Sequence, residues 1–318
     1  MKTAIVGLGV IGKVHISVLQ ELNLGIVAVC DCDEDKLKEF SEYAAYLDYE
    51  KMLDEVAPDV VHICTPHYLH TEMILAALKR NINVLCEKPM CIKEEDIPLI
   101  LRAEKASKAQ LGICFQNRYS PANVYAKEYL QDKNIVAATG TVVWHRDKAY
   151  YNSEAWRGKW VTEGGGVLIN QAIHTLDLLQ WFCGMPEKVY ANVSNLTLTD
   201  TIEVEDTATL ICRKEDGTGF NLFATNASNV GFPVELVLRT ETQTIRIISN
   251  KVMIDNELIL LKGNDKIYGK KNYGSGHKSL IEDFYDCVQH CRPFPINGTE
   301  GAKSITVISK AYRSKDQA

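Results

Sequence analysis

The first twelve residues, MKTAIVGLGVIG, constrain the fold of this chain more than any other stretch. The short apolar run from Thr3 to Val6 is typical of a buried parallel strand, and the apolar spacing from Val10 to Leu22 is that of a helix. Gly7, Gly9 and Gly12 form a GxGxxG pattern where the two meet. In this pattern the first glycine permits a tight turn, the second lets backbone approach a pyrophosphate, and the third lets helix pack closely on strand. The sequence therefore predicts a dinucleotide site, with the pyrophosphate at the helix N-terminus.

A second predicted strand, residues 26–30, leads to Asp31, nineteen residues beyond Gly12. A carboxylate at this place can accept hydrogen bonds from the adenosine ribose hydroxyls, and it repels a 2′-phosphate. Since no arginine follows immediately to receive such a phosphate, the sequence favours NAD over NADP. The alternative is a plain βαβ turn that carries a surface aspartate.

Length and charge exclude several classes of protein. The chain has 318 residues, of which 46% are hydrophobic, enough for two packed cores. A net charge of −6 gives no basic footprint for nucleic acid. No apolar run reaches the length of a membrane span, and Met1 leads directly into a strand. We therefore expect a cytoplasmic protein with neither a membrane nor a nucleic acid as partner.

The ten cysteines are scattered, and none of them forms a CxxC pair. Cys30, Cys64, Cys86 and Cys114 fall at or near the ends of predicted strands, where a small apolar side chain packs well. Reduced, buried thiols are the better interpretation. His67 and His70 form an HxxH, but the sequence shows no further ligands nearby, so no metal site is predicted.

Through residue 119 the pattern alternates strand and helix, which predicts an α/β fold with a doubly wound parallel sheet of the Rossmann type. Strands are expected near residues 2–6, 25–30, 59–64, 82–86 and 111–115, and helices near 10–22, 33–43, 49–56, 68–80 and 93–108. The predicted domains are 1–119, which binds the nucleotide, and 120–318, which serves substrate and oligomer contacts.

Beyond residue 120 the pattern becomes that of an α+β domain with a mostly antiparallel sheet. The glycines of 164–166 begin a predicted long helix that ends near Gly184. Helices are also expected at 121–132, 277–290 and 299–314, and strands at 136–145, 188–194, 207–212, 220–225, 234–239 and 244–248.

Three short polar segments follow predicted strand ends and should converge on one crevice, because ligands bind at the carboxyl ends of parallel strands. They are Thr65-Pro66, Glu87-Lys88-Pro89 and Gln116-Asn117-Arg118. Pro66 and Pro89 each also fit as strand-end punctuation. Lys88 follows an apolar strand, so its ammonium should point into the crevice. There it can hydrogen-bond a substrate hydroxyl and favour its deprotonation.

A second group of polar residues lies on the helix predicted after the three glycines. Asn170 and His174 are four residues apart, and Asp177 is three further, so all three share one face of a continuous helix. Imidazole is the natural base for a hydroxyl proton near neutral pH. The alternative is a histidine that belongs to the core, and for Asp177 a structural salt bridge.

Several of these motifs together resemble the Gfo/Idh/MocA family, the glucose–fructose oxidoreductase and inositol dehydrogenase group. The resemblance covers essentially the full length and rests on Gly7 to Gly12, Thr65-Pro66, Glu87-Lys88-Pro89, Trp156-Arg157-Gly158, Gly164 to Gly166 with His174, and Gly276-His277 followed by Asp283-Phe284. The Glu-Lys-Pro and the Gly-Gly-Gly/His helix are the specific parts.

The resemblance implies NAD(P)-dependent oxidation of a secondary alcohol on a sugar, cyclitol or sugar derivative, by a homo-dimer or homo-tetramer. Lys88 matches the family's lysine and His174 its catalytic histidine. Many members carry an aspartate four residues before that histidine, whereas this chain has Asn170. A carboxamide cannot accept a proton as a carboxylate does, so a Lys-His pair remains and a three-member relay is in doubt.

Trp156 and Arg157 resemble the family's loop toward nicotinamide and substrate, although an ordinary interface patch is an equal alternative. Tyr151, Tyr273 and His277 are expected on the substrate side. Arg118 either selects an acidic group on the substrate or faces water. The predicted cofactor contacts are Gly7, Gly9, Val10, Ile11, Gly12, Asp31, Thr65, Pro66, His70, Glu87, Lys88, Gln116, Trp156 and Arg157.

The sequence thus predicts a dehydrogenase in which Lys88, His174 and Asn170 act on a CH–OH group. A rival from another class is a nucleotide- or sugar-sensing regulator that kept the fold and lost the chemistry. A second rival is a reductase of a non-sugar substrate, such as an aromatic diol or a tetrapyrrole.

Overall fold

The computed structural model describes residues 1–261, 266–270 and 274–314. The chain divides into two compact units, the first from Met1–Gln116 and Lys266–Ala302 and the second from Asn117–Asp265 and Lys303–Ala318. The chain thus first leaves the nucleotide-type unit after residue 116, close to the predicted boundary at 119, and it later returns there. Within the described residues, no helix has both the length and the apolar composition needed to cross a bilayer.

A six-stranded parallel sheet, in the order β3-β2-β1-β4-β5-β6, forms the first unit. Its strands are β1 (Lys2–Val6), β2 (Gly25–Cys30), β3 (Ala44–Tyr46), β4 (Val60–Ile63), β5 (Asn83–Glu87) and β6 (Leu111–Cys114). Its helices are α1 (Val10–Glu21), α2 (Glu34–Lys38), α3 (Tyr49–Val56), α4 (His70–Lys79), α5 (Ile97–Ala106) and α10 (His277–Gln289). The predicted doubly wound parallel sheet is confirmed, because the strand order reverses at β1 as in a Rossmann fold.

Two elements of this unit differ from the sequence prediction. The helix expected over 33–43 ends at Lys38, and the short strand β3 was not predicted. Leu37 is the one buried residue of α2, so no apolar stripe extends that helix further.

The second unit contains an eight-stranded sheet in the order β14-β13-β12-β11-β7-β10-β9-β8. Its strands are β7 (Ile135–Val143), β8 (Lys188–Ser194), β9 (Thr207–Arg213), β10 (Gly219–Thr225), β11 (Glu235–Thr240), β12 (Thr244–Ile248), β13 (Lys251–Ile254) and β14 (Glu257–Ile259). β7 and β10 pair in parallel and the other neighbours are antiparallel, so the mostly antiparallel sheet is confirmed. The sequence prediction omitted β13 and β14.

The remaining helices are α6 (Pro121–Tyr129), α7 (Lys148–Asn152), α8 (Val167–Asn170), α9 (Ile173–Cys183) and α11 (Gly298–Ser314). The long helix predicted after the three glycines is wrong in one respect, since it breaks into α8 and α9. At the break the N–H groups of Gln171 and Ala172 both donate to the carbonyl of Val167, at 3.2 and 2.8 Å. The Gln171 backbone itself stays in the right-handed helical region, and its side chain bonds the hydroxyl of Tyr150 and the amide of Asn226.

One face of the eight-stranded sheet is covered by α9. Gly140 of β7 makes this possible, because a β-carbon there would lie 2.7 Å from Thr175 Cγ2 and 2.8 Å from Leu179 Cδ1. On the opposite face Tyr190 and Phe223 remain exposed, as does the neighbouring Ile211. The sheet therefore has one packed face and one open apolar face.

A buried ion pair crosses the interior of the second unit. Arg118 Nε and Nη2 donate to the two carboxylate oxygens of Asp177 at 2.8 and 2.7 Å. The exposed fractions of the two side chains are 5% and 1%. The structural salt bridge considered for Asp177 is therefore the observed arrangement, and Arg118 supplies the partner.

We expect Arg118→Ala to lower the free energy of unfolding by about 3–5 kcal/mol, because it leaves the carboxylate of Asp177 buried without its counter-charge. Urea unfolding followed by circular dichroism measures the loss. Lys38→Ala removes an exposed pair with Asp35 and should change stability by no more than about 0.5 kcal/mol. A loss of less than about 1 kcal/mol for Arg118→Ala would show that the pair is not a structural support.

Candidate active site

The three glycines of the turn between β1 and α1 have two different roles: two are needed for packing, and one leaves space for a ligand. Gly7 has a φ of +88°, and a β-carbon there would lie 2.5 Å from the carbonyl oxygen of Cys64. A β-carbon on Gly12 would lie 1.9 Å from the carbonyl oxygen of Gly7. A β-carbon on Gly9 would have no neighbouring atom within 4 Å. Packing therefore requires the outer two glycines. The middle one, Gly9, faces open space in which a ligand can come close to the protein backbone.

Asp31 closes the turn from the end of β2. Its Oδ2 accepts the N–H of Leu8 at 2.7 Å, and its Oδ1 accepts the N–H of Asp33 at 3.0 Å. The ammonium of Lys36 lies 3.9 Å from Asp31 Oδ1. A carboxylate has about four lone-pair sites, so these two bonds leave Asp31 able to accept ribose hydroxyls as well.

His70 links two of the predicted strand-end segments. Its Nδ1 lies 2.6 Å from the carbonyl oxygen of Pro89, and its Nε2 lies 2.9 Å from that of Thr65. The ring is fully buried, and burial lowers its pKa. The structure therefore brings Thr65-Pro66 and Lys88-Pro89 together, and it gives His70 a role in joining them that the sequence did not indicate.

Lys88 stands out by its exposure. Lys88 is partly exposed, whereas all the remaining residues from Val84 to Cys91 are buried. A buried strand end thus presents one cationic side chain to solvent or ligand.

Glu87, next to this lysine, begins a buried hydrogen-bonded chain. One of its carboxylate oxygens lies 3.0 Å from His15 Nε2, and His15 Nδ1 lies 2.7 Å from His62 Nδ1. His62 Nε2 then reaches the hydroxyl of Tyr285 at 3.0 Å, which reaches Thr3 Oγ1 at 2.7 Å. Burial alone would raise the pKa of the Glu87 carboxyl, but the hydrogen bond and charge of His15 hold it well below its usual range.

His15 and His62 are site residues that the sequence analysis missed. His62 lies in an otherwise apolar strand, and His15 lies on the buried face of an amphipathic helix, so neither position shows in the sequence that its side chain joins a polar network. His15 follows the last glycine of the turn by three residues, a spacing that places it one helical turn from the nucleotide site.

Donor atoms of His15, Glu87, Cys114 and His277 lie within 4.8 Å of one another, and all four residues are buried. Such a set can hold a divalent metal ion. The His15–Glu87 distance of 3.0 Å is also that of a direct hydrogen bond, which gives the buried carboxylate a partner from within the protein. The absence of a metal site therefore stays a prediction.

Asn170 and His174 are the corresponding residues of the second unit. From Gly165 to Gln180 these two are partly exposed and every other residue is buried. Both predicted catalytic positions of the α8–α9 segment thus reach the surface of an otherwise buried run, in spite of the break between the two helices.

A carboxyl group contacts Asn170 from the preceding loop. Glu163 is fully buried and accepts the side-chain N–H of Asn170 at one oxygen and the backbone N–H of Gly158 at the other. Burial raises the pKa of Glu163 to about 7, against the hydrogen bonds from Gly158 and Asn170 and the charge of Arg157. The sequence analysis missed this residue, because Glu163 precedes the three glycines without any recognisable spacing.

A second buried carboxyl group, Glu205, fastens the start of α8. It accepts the N–H groups of Gly166 and Leu168, each at 3.0 Å, and the hydroxyl of Tyr312 at 2.9 Å. Burial raises the pKa of Glu205 in spite of these bonds. Glu205 therefore fixes the start of the short helix that carries Asn170.

The predicted loop residues Trp156 and Arg157 are partly exposed. The guanidinium of Arg157 lies 4.3 Å from the ring centre of Tyr150, and that of Arg146 lies 4.6 Å from the same ring. Two cations and an aromatic ring thus form one surface near Gln171, whose amide bonds Tyr150.

Several other predicted site residues are buried. Tyr151 packs against Leu198, Ile202 and Val204, and its hydroxyl accepts from Asn226 at 3.1 Å. The other buried members are Gln116, Arg118 and His277. For Tyr151, Arg118 and His277 a direct substrate contact stays a prediction. Tyr273 lies outside the described residues.

Comparison with known proteins now decides the family. Residues 1–115 match the Gfo/Idh/MocA model described as an oxidoreductase family with an NAD-binding Rossmann fold. Residues 124–251 match the C-terminal domain model of the same family. The chain belongs to the Gfo/Idh/MocA family. It is thus an oxidoreductase, and its first domain is the NAD-binding Rossmann domain of that family.

Individual relatives span the whole chain. Myo-inositol 2-dehydrogenase of Thermotoga maritima is 26% identical over 328 aligned positions, which cover 100% of this chain and 97% of the relative. The WlbA dehydrogenase of Bordetella pertussis, solved with NADH and UDP-GlcNAcA, is 25% identical with a TM-score of 0.86, and the match covers 99% of this chain and 96% of that one. A levoglucosan dehydrogenase structure has a TM-score of 0.87 at 18% identity, over 100% of this chain and 97% of its own, and so shares the fold.

We expect Gly9→Ala to weaken NADH binding by about tenfold or more while leaving the fold intact, since a methyl group there fills the space that a pyrophosphate approaches. Its φ of −66° suits alanine. Gly12→Ala should instead destabilise the protein by more than about 3 kcal/mol, because its β-carbon meets the Gly7 carbonyl. Fluorescence titration with NADH and urea unfolding separate the two effects. Unchanged affinity in Gly9→Ala would argue against a pyrophosphate at this turn.

Proposed function

We propose that this protein transfers a hydride between C4 of the NAD nicotinamide and a carbinol carbon of a sugar, cyclitol or sugar derivative. The observation that carries the proposal is the exposure of Lys88, Asn170 and His174. Each is a polar side chain that reaches the surface of a run that is otherwise buried. Burial of the neighbours fixes the backbone, and a fixed backbone is what a positioned acid–base group requires.

Each of the three residues has one task in the proposed reaction. In the oxidation His174 receives the hydroxyl proton, and the ammonium of Lys88 polarises the same oxygen. Asn170 positions the reacting group through its carboxamide. Bound NAD supplies the hydride acceptor. In the reverse direction the same groups return the proton to the oxygen of a ketone.

The cofactor contacts proposed from the sequence are supported by the turn and the helix start that follow β1 at the carboxyl edge of the parallel sheet. Gly9 faces open space, and the first N–H groups of α1, on Val10, Ile11 and Gly12, have no carbonyl four residues before them within the helix. Such N–H groups favour a pyrophosphate. The proposed contacts further include Asp31, Thr65, Pro66, Glu87, Gln116, Trp156 and Arg157, with His70 joining two of these segments.

The relatives support the substrate class. Their names describe a myo-inositol dehydrogenase and, in Escherichia coli, a D-glucoside 3-dehydrogenase that is 29% identical over 58% of this chain and 55% of its own. Both act on polyhydroxylated rings. A sensor of nucleotide or sugar needs no partly exposed lysine beside a buried strand end, so the same geometry favours an enzyme over the regulator.

We expect Lys88→Ala to reduce kcat by about 10²–10⁴-fold, because it removes the group that polarises the reacting oxygen. The Kd for NADH should change by less than about threefold, since Asp31 and the glycine turn remain. NADH formation on a panel of inositols, sugars and sugar acids measures kcat, and fluorescence titration measures the Kd. Lys79→Ala, an exposed lysine on α4, is the matched control.

The panel also separates the rival functions. Turnover of inositols or sugars supports the proposal, whereas NADH binding without turnover of any member favours the regulator. An aromatic diol is added to the panel, and turnover of that compound alone favours the non-sugar reductase. Wild-type activity in Lys88→Ala would rule out the assigned role of this lysine.

We also propose that the protein is a homo-oligomer that joins through the open face of the eight-stranded sheet. Tyr190 is 57% exposed and pairs directly with Ile211, which is 42% exposed. Phe223, at 40%, is exposed on the adjacent strand β10. Apolar side chains of this size on one sheet face are typical of an interface between subunits.

Phe223→Glu combined with Ile211→Glu should lower the mass of the particle to that of a single chain, because two charges would be desolvated in the contact. Sedimentation velocity measures the mass. Leu99→Glu changes an exposed apolar residue of α5 and should leave the mass unaltered. A wild-type particle of one chain, or an oligomer that survives both charges, would contradict this interface.

The proposed location is the cytoplasm. All ten cysteines are free, and seven of them are buried. Burial raises the pKa of the Cys64, Cys86 and Cys114 thiols, which keeps them protonated and unreactive. Thiols of this kind suit a reducing compartment.

A further inference from the structure

Two guanidinium groups of the second unit stack against the single aromatic ring of Tyr150. Arg157 Cζ lies 4.3 Å and Arg146 Cζ 4.6 Å from the ring centre, so the two charges are separated by less than the sum of these distances. Trp156 and Trp144 hold the same two groups at 5.0 and 5.1 Å. The aromatic faces attract each cation, but salt does not fully screen two like charges less than about 10 Å apart. This arginine pair, Arg146 and Arg157, is therefore stabilised by a bound anion.

The arginine pair does not take its counter-charge from the described part of the chain. The buried Arg118 is matched by Asp177, whereas neither Arg146 nor Arg157 forms an ion pair with a carboxylate of any described residue. The charge of Arg157 lowers the pKa of the buried Glu163 against the effect of burial, but the two side chains are not joined as an ion pair. The positive charge of the pair is thus open to a ligand.

Both guanidinium groups are fixed in place. The Nε atom of each is buried, and each residue as a whole is partly exposed, so the outer end of the group faces outward. Arg146 Nη1 donates to the carbonyl of His145 at 2.8 Å, and the backbone N–H of Arg146 donates to the carbonyl of Asn226 at 3.0 Å. A guanidinium has five N–H donors in a planar fork that matches two oxygens of a carboxylate or phosphate. Each member of the pair therefore retains donors for such a group.

The ring between the two arginines is joined to the segment that carries the proposed acid–base residues. Gln171 Nε2 donates to the hydroxyl of Tyr150 at 3.1 Å. Gln171 directly follows Asn170 and precedes His174 by three residues. One short segment of the second unit thus carries the residues proposed to act on the substrate and also positions the ring that holds the arginine pair.

We propose that the arginine pair binds an oxyanion of the substrate, a carboxylate or a phosphate ester, so that the protein prefers acidic sugars to neutral ones. The inference rests on the proposed function, because it names the substrate class of that reaction. The anion accepts N–H groups from both guanidinium groups, and its charge offsets their repulsion. Since the anionic group takes no part in hydride transfer, it is bound alike before and during the reaction. The pair therefore lowers KM and leaves kcat nearly unchanged.

The first test needs no turnover. In NADH-bound protein labelled with ¹⁵N, the Nε resonances of Arg146 and Arg157 are assigned by their loss in Arg146→Met and Arg157→Met. Both should shift in a saturable way when inorganic phosphate is added. Arg102, an exposed arginine of α5, is the control and should show no saturable shift. Resonances of the pair that stay unmoved throughout the millimolar range of phosphate would overturn the inference.

The second test compares neutral, carboxylate and phosphate forms of one ring, such as D-glucose, D-glucuronate and D-glucose 6-phosphate. In the wild type, kcat/KM should be at least about tenfold higher for one of the two charged forms, and the form preferred identifies the anion. Arg146 is the residue to vary, because Arg157 is also a proposed cofactor contact. Arg146→Met should raise KM for the preferred form by about 10–100-fold, and it should change the neutral form by less than about threefold.

Two further variants show whether charge or packing is responsible. Methionine in Arg146→Met keeps an apolar contact with the aromatic rings, so the fold is retained. Arg146→Lys should recover part of the preference, because it restores the charge without the planar fork. Arg102→Met is the matched control and should behave as the wild type. Equal losses on neutral and charged forms in Arg146→Met would reveal a structural role and refute the inference, as would a raised Kd for NADH with an unchanged preference.

The outcomes distinguish this inference from the proposed function. A wild type that oxidises neutral polyols best refutes the arginine pair as an anion site and leaves the dehydrogenase intact. A wild type that turns over no member of the panel, but whose Arg146 and Arg157 resonances respond to phosphate, contradicts the proposed function and leaves the anion site in place.

Discussion

A buried carboxylate at the end of β5 organises the first unit. Glu87 is surrounded by protein, so its charge must be balanced by groups of the chain itself. His15 supplies that balance from α1, and His62, Tyr285 and Thr3 continue the hydrogen bonds into α10 and β1. The helix that begins at the glycine turn is thereby tied to the strand end that carries Lys88. A substitution of any of these groups would therefore alter both the helix at the glycine turn and the strand end that carries Lys88.

The second unit follows the same rule with different residues. Asp177, Glu163 and Glu205 are all buried, and each carboxyl group meets a guanidinium or backbone N–H groups. Because these bonds bridge loops and helix starts rather than lie within one element, they determine the path of irregular chain. Among them, the bonds from Gly166 and Leu168 to Glu205 fix the start of the helix that carries Asn170.

Sequence reasoning was strongest where a pattern is local. The glycine turn, the alternation of strand and helix and the position of Lys88 after its strand follow from neighbouring residues, and the structure has them. The roles of Glu163 and His15 were not predicted, because their partners, Asn170 and Glu87, are 7 and 72 residues away in the sequence. Polar contacts of this kind between separate segments produce no periodic pattern in the sequence. The break between α8 and α9 was not predicted either, since it consists of one backbone bond, from Ala172 to Val167, that spans five residues instead of four.

The return of the chain to its first unit has a consequence for how the family can recombine. α10 packs within that unit, and Phe284 fills the space above Gly112, where a β-carbon would lie 2.8 Å from its ring. A fragment cut once near residue 119 would therefore lack part of its own interior and Tyr285, the residue that joins Thr3 to His62. Exchange of the nucleotide half between relatives requires three coordinated crossovers, after residues 116, 265 and 302, and a single one yields a chimaera with mismatched interiors.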